Sequence, residues 1–185
     1  MSQRTLVLLA VLVPVAGLLS LFGWQMVRTG GQPAGIGINS VFGEVQVEPR
    51  AARPFSLTLL SGSQTSLADL RGKVVMIDFW SSWCPPCREE APTLASVYQQ
   101  YQARGVVFLG VAIWDSDSEV RKFVQGNGLG YPNGLESRGT IAIDYGVKGI
   151  PEKYFVDKNG NIVRKFIGPV TSEQLSKVLD ELLAR

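Results

Sequence analysis

Two apolar runs limit the fold more than anything else in the chain. Val74 to Trp80, VVMIDFW, and Val106 to Trp114, VVFLGVAIW, are almost unbroken in apolar side chains. That is the pattern of strands covered on both faces of a parallel sheet, not of strands with one wet face. Parallel neighbours need a crossover, usually helical, and the intervening stretch reads as a helix that begins at the cysteines and runs towards Gly105. Upstream, FSLTLL reads as a further strand and SLADLRG as a short helical turn opened by Ser66 and closed by Gly72. Downstream, Ser116 with Glu119 forms a capping box for SEVRKFVQ. Tyr131 to Gly134 reads as a turn, and a short helix covers IAIDYGV. KYFVDKNGNIVRKF is a hairpin turning at Asn159-Gly160. The last helix opens at Thr171 with Gln174 and places Leu175, Val178, Leu179, Leu182 and Leu183 on one stripe. The expected fold is α/β, a sandwich of a mixed sheet covered by helices on both faces.

Ahead of this domain lies a different composition. From Thr5 to Val27 there is no charge, with Arg4 and Arg28 on either side, and the run is long enough for a hydrocarbon core of roughly 30 Å at about 1.5 Å per residue. It exceeds a typical signal-peptide core and lacks a small-x-small cleavage site, since Pro14 stands two before Ala16. The expectation is one N-terminal transmembrane helix, an uncleaved anchor over 1–28. Its short N-terminal tail inside and Trp24 near the far interface place the domain on the extracytoplasmic, periplasmic side of the inner membrane. A Gly- and Pro-rich linker is expected over 29–53, with EVQVE, Glu44 to Glu48, as an alternative short strand, and the folded domain over 54–185.

Charge and composition exclude several functions. With 18 basic and 16 acidic residues and the two arginines beside the apolar run set aside, the remainder is formally neutral, so no nucleic-acid partner is expected. No histidine occurs, which removes serine and cysteine hydrolase triads, most zinc catalysis and haem ligation by histidine.

The two cysteines stand in SSWCPPCREE as Cys84 and Cys87. Two ligands are too few for a tetrahedral zinc or iron–sulfur site. A disulfide closing so small a loop constrains the unfolded chain little. A working dithiol explains more: where VVMIDFW ends and a helix begins, the Cys84 sulfur sits exposed at the positive helix end as the nucleophile, and Cys87, one turn in, is the resolving thiol. Pro85 suits the first helical position. Asp78 is the single charge in a strand covered on both faces, and the reading is a buried carboxyl with a raised pKa.

VVMIDFWSSWCPPCREEAP followed downstream by GIPEKYFVD resembles the thioredoxin superfamily over about Pro54 to Arg185. The resemblance implies that Pro151 is a cis-proline beside the dithiol and that the Ile150 backbone offers a strand edge to an extended substrate. It further implies that Pro92 kinks the helix and that Asp78 moves the proton of the resolving thiol. Glu152 after that proline, together with the anchor, resembles the CcmG/DsbE-type reductases of cytochrome c maturation, with TlpA/ResA-like envelope reductases as close neighbours. Cys84, Cys87, Asp78 and Glu152 are then the expected catalytic residues, and Trp83, Pro85, Pro86, Ile150 and Pro151 the substrate-binding ones. No metal or cofactor is expected. The implied partners are a membrane thiol transporter of the CcdA/DsbD type as electron donor and oxidised apocytochrome c, or another disulfide-bearing protein, as acceptor. Pro86 has no N–H to give a Cys84 thiolate, and Asp78 and Glu152 oppose a second negative charge, which makes the dithiol a reductant. The rivals are a thioredoxin-fold peroxidase, whose Pro and Thr ahead of a single cysteine do not appear, and a copper metallochaperone, which lacks its histidine.

Overall fold

The computed structural model of this chain describes residues 3–28 and 37–185 and divides into two units, Met1–Gly37 and Ile38–Arg185. The first holds helix α1 (Gln3–Arg28), with Pro14 inside it. Among the described residues no helix is long and apolar enough to cross a membrane. The expected span over 1–28 rests on the uncharged run from Thr5 to Val27 and not on the fold. Most of the Gly- and Pro-rich head of the expected linker lies outside the described residues.

After α1 the chain runs from β1 (Gly37–Ile38) through β2 (Gly43–Val45), β3 (Arg50–Ala51), β4 (Ser56–Thr58) and β5 (Gln64–Ser66) to β6 (Val74–Trp80). Helix α2 (Pro85–Tyr101), β7 (Val106–Ile113), α3 (Asp117–Gly126), β8 (Asn133–Glu136) and α4 (Thr140–Tyr145) follow. The chain closes with β9 (Gly149–Ile150), β10 (Glu152–Val156), β11 (Asn161–Ile167) and α5 (Ser172–Leu183). The main sheet has seven strands in the order β2-β11-β10-β6-β7-β8, with β3 also on β11. β6, β7 and β8 run parallel, and β10 is antiparallel to β6 and β11. Every residue of β6 is buried, as its apolar run requires.

Local signals set most boundaries. Ser66 and Asp69 complete a capping box on a short 3-10 turn, Leu67–Leu70. Thr171 and Gln174 do the same for α5. At Ser116 the hydroxyl accepts from the Glu119 amide. The expected hairpin turns at Gly160, whose φ of 80° suits glycine.

Three expectations change. FSLTLL contributes β4, which pairs with β5 in a separate two-stranded sheet and joins the main sheet through a bridge from Leu59 to Gly134. The expected turn at Tyr131 to Gly134 runs straight into β8, which pairs parallel with β7 from Gly110↔Asn133 to Ile113↔Glu136. The sheet also reaches into the expected linker, since β2 and β3 pair with β11; of EVQVE, the alternative strand, only Glu44 and Val45 are in β2.

Candidate active site

The dithiol is placed by the junction of β6 and α2. Ser81 is held by its hydroxyl to the Ile113 carbonyl, and the Ser82 amide donates to Asp115 Oδ2 at 2.6 Å. The Trp83 indole N–H donates to the Trp114 carbonyl at 2.9 Å. Trp114 takes a φ of 54°, a left-handed conformation that a bulky residue rarely adopts. The chain then reaches Cys84, the N-cap of α2, with Pro85 and Pro86 as the first two helical residues.

Cys84 and Cys87 form a disulfide. The Cys84 sulfur accepts one backbone hydrogen bond, from the Cys87 amide at 3.3 Å. Pro86 lacks the N–H that a second cap bond would use.

Exposure differs from expectation. Cys84 is 0 % exposed and Cys87 3 %, whereas Trp83 is 41 % exposed. The first cysteine is not at the surface: its amide donates to the Ser81 carbonyl at 3.3 Å, and Ser81 and Ser82 are themselves bonded to Ile113 and Asp115 at the end of β7. Pro85 is exposed and Pro86 half-buried, while Ile150 and Pro151 are buried. The Ile150-Pro151 peptide is cis, in agreement with the family resemblance.

Asp78 is buried on β6 directly across from Lys153 on β10. Lys153 Nζ lies 3.4 Å from Asp78 Oδ1 and donates to Glu90 Oε1 at 2.6 Å. At the longer distance the Asp78 contact is Coulombic, and Oδ1 has no hydrogen-bond partner. Glu90 Oε2 accepts from the Val170 amide. A narrow cavity joins Asp78, Glu90 and Cys87, with Trp80 and Tyr131 among its walls. One buried cation therefore serves two buried carboxyls. Burial raises the pKa of Asp78 against the pull of Lys153, and burial above all, with Asp78 adding, raises that of Glu90 to about 7. The two carboxyls hold Lys153 above its usual value despite burial, which opposes this.

Glu152 does not join this cluster. Neighbours on a strand face opposite ways, so with Lys153 towards Asp78, Glu152 points to the other face of the sheet. There its carboxylate meets Lys165 Nζ at 2.7 Å, the Tyr154 hydroxyl at 3.1 Å and the Lys148 amide at 3.1 Å. The acid beside Asp78 is Glu90, which the sequence reading missed. Its signal is the three-residue spacing from Cys87, which puts both on one helical face. No group of three or more metal-ligating side chains occurs among the described residues.

The model of the AhpC/TSA family matches residues 49–165. A thiol-disulfide oxidoreductase ResA of Bacillus thuringiensis is 35% identical over 133 residues, 72% of this chain and 77% of the relative. Among solved structures, a thioredoxin-family thiol:disulfide interchange protein of Chlorobium tepidum is 29% identical with a TM-score of 0.68, covering 75% of this chain and 99% of that one. A secreted Mycobacterium tuberculosis disulfide oxidoreductase, described as homologous to E. coli DsbE, is 30% identical with a TM-score of 0.63, over 69% and 96% of the two chains.

Proposed function

Since the chain belongs to the AhpC/TSA family and is a thioredoxin-like thiol-disulfide oxidoreductase of the ResA and DsbE type, we propose that it works as a reductase of protein disulfides outside the cytoplasm. The observation that carries the direction is the single amide donor at the Cys84 sulfur. A thiolate there gains one cap hydrogen bond, and Cys87 beside it shares a cavity with two buried carboxyls served by one lysine. The reduced form is stabilised little, and a dithiol of that kind passes its electrons on readily.

The steps balance within the two sulfurs. The Cys84 thiolate attacks a partner disulfide, forming a Cys84–partner bond and releasing one partner thiolate. Cys87 then loses its proton to Asp78, whose Oδ1 faces the shared cavity without a hydrogen-bond donor, and attacks the Cys84 sulfur. The second partner thiolate leaves and takes up a proton. The Cys84–Cys87 disulfide remains, and two electrons have moved to the partner.

The uncharged run from Thr5 to Val27 supports a tether to the cell membrane, with the dithiol domain on the far side. Reducing power there has no glutathione pool to draw on, so the donor is a membrane thiol transporter of the CcdA/DsbD type. The acceptor is oxidised apocytochrome c, which places the protein in cytochrome c maturation. The test is the full-length Cys87→Ser variant produced in cells. It is expected to accumulate mixed disulfides through Cys84, with a transporter on one side and apocytochrome c on the other. No adducts, or adducts that persist when Cys84 is replaced by serine as well, would reject the mechanism, and a broad set of envelope proteins without cytochromes would reject the assigned acceptor.

A further inference from the structure

The backbone nearest in register to the dithiol is already occupied. Continuing the β10–β6 pairing past Glu152↔Phe79 brings Pro151 and Ile150 level with Trp80 and Ser81, just ahead of the loop that ends in Cys84. A protein that presents a disulfide to Cys84 lays its own chain along this edge, where a free carbonyl would accept a strand. Instead the Asn39 amide donates to the Ile150 carbonyl at 3.0 Å, and Asn39 Nδ2 donates to the Pro151 carbonyl at 3.0 Å. The Pro151 carbonyl also receives the Gly168 amide at 2.8 Å. Three residues beyond Asn39, the Phe42 ring lies so close over Gly168 that a Cβ there would overlap it. Cys84, at the same end of β6, has no exposed surface.

We propose that Asn39–Phe42 is an autoinhibitory strap on the strand edge beside the dithiol. It fills the strand edge that a protein partner needs, and a partner's extended chain displaces it by making the same backbone hydrogen bond. This rests on the reductase reading above. The strap is tied at its two ends, by β1 on β9 and by β2 on β11, but between them two neutral hydrogen bonds and one ring contact hold it, and Val41 is 80 % and Phe42 54 % exposed, so its lifting uncovers little apolar surface. Small disulfides do not use the strand edge, so the strap competes only with protein partners that lay an extended segment beside the disulfide.

The test compares full-length parent, Asn39→Ala and Asn39→Pro proteins, each reduced and then given a disulfide-bridged peptide with extended flanks or hydroxyethyl disulfide. The ratio of the peptide rate to the small-disulfide rate is expected to rise about 2- to 10-fold in Asn39→Ala, which loses one hydrogen bond, and further in Asn39→Pro, which also loses the amide donor. Amide hydrogen exchange gives a reading that does not depend on these substitutions. In a Cys87→Ser protein the Asn39 amide should lose protection when Cys84 carries the peptide and keep it when Cys84 carries hydroxyethanethiol. Equal ratios in all three proteins, or an Asn39 amide protected alike in both adducts, would overturn the strap while leaving the reductase intact. A parent protein that reduces neither substrate would overturn the reductase reading, and the strap with it.

Discussion

Glu90 shows how far one buried side chain sets the pH response of this molecule. Its carboxyl is held at about 7 in the fold against an ordinary value near 4.5, so the unfolded chain gives up the proton first. The sign follows: the contribution to stability is fully present below about pH 4.5, is lost as pH rises towards 7, and is flat beyond. Its upper bound is about 3.5 kcal/mol from roughly 1.4 kcal/mol per pKa unit, and the coupling to Asp78 and Lys153 spreads part of it over the cluster. Urea unfolding of oxidised Glu90→Gln and parent proteins at pH 5 and pH 8 should show the parent losing more stability between them; parallel losses would mean that Glu90 does not titrate in this window. Asp78 was legible in the sequence because a lone charge in an apolar strand has few places to go. Glu90 was not, because Arg88-Glu89-Glu90 looks like a solvated helix face until the helical phase is tied to the core. Lys153 was hidden for the same reason between Glu152 and Tyr154.

Strand β8 is where an element was misread, and the cause is turn chemistry. Pro132-Asn133-Gly134 carries the residues of a turn, yet the chain there extends beside β7, with the Gly110 amide donating to the Pro132 carbonyl at 2.9 Å. Glycine at 110 makes the pairing possible. A Cβ there would overlap the Asn133 side-chain oxygen and lie 2.9 Å from Trp80 Nε1. Gly110→Ala is therefore expected to destabilise the protein by about 1–3 kcal/mol through overpacking, with the loss seen in urea unfolding and as weaker amide protection along β8. A variant as stable as the parent would show that β8 can shift away from β7 freely. The helices were read well because their ends are written locally: Cys84 with two prolines, Thr171 with Gln174, Ser66 with Asp69.

The unit from Ile38 onward carries its own core, a sheet with α2 and α5 packed together on one side of it, and it should fold without the residues before it. Produced alone as 38–185, it is expected to unfold in one transition with a stability within about 0.5 kcal/mol of the full chain's, since no core side chain is removed. The full chain should sediment with membranes and the shorter one should not; sedimentation of both would place the membrane contact on the domain itself. Apolar runs, caps, turn pairs and a dithiol at a strand-to-helix junction act within a few residues, and each announced itself in the amino-acid order. The partners that matter at the site did not. Lys153 meets Asp78 and Glu90, Glu152 turns to the opposite face, and Asn39 reaches Ile150 because of the register between segments far apart in the chain. That register is decided by the packing of the whole sheet against its helices, so these contacts appear only once the chain has folded.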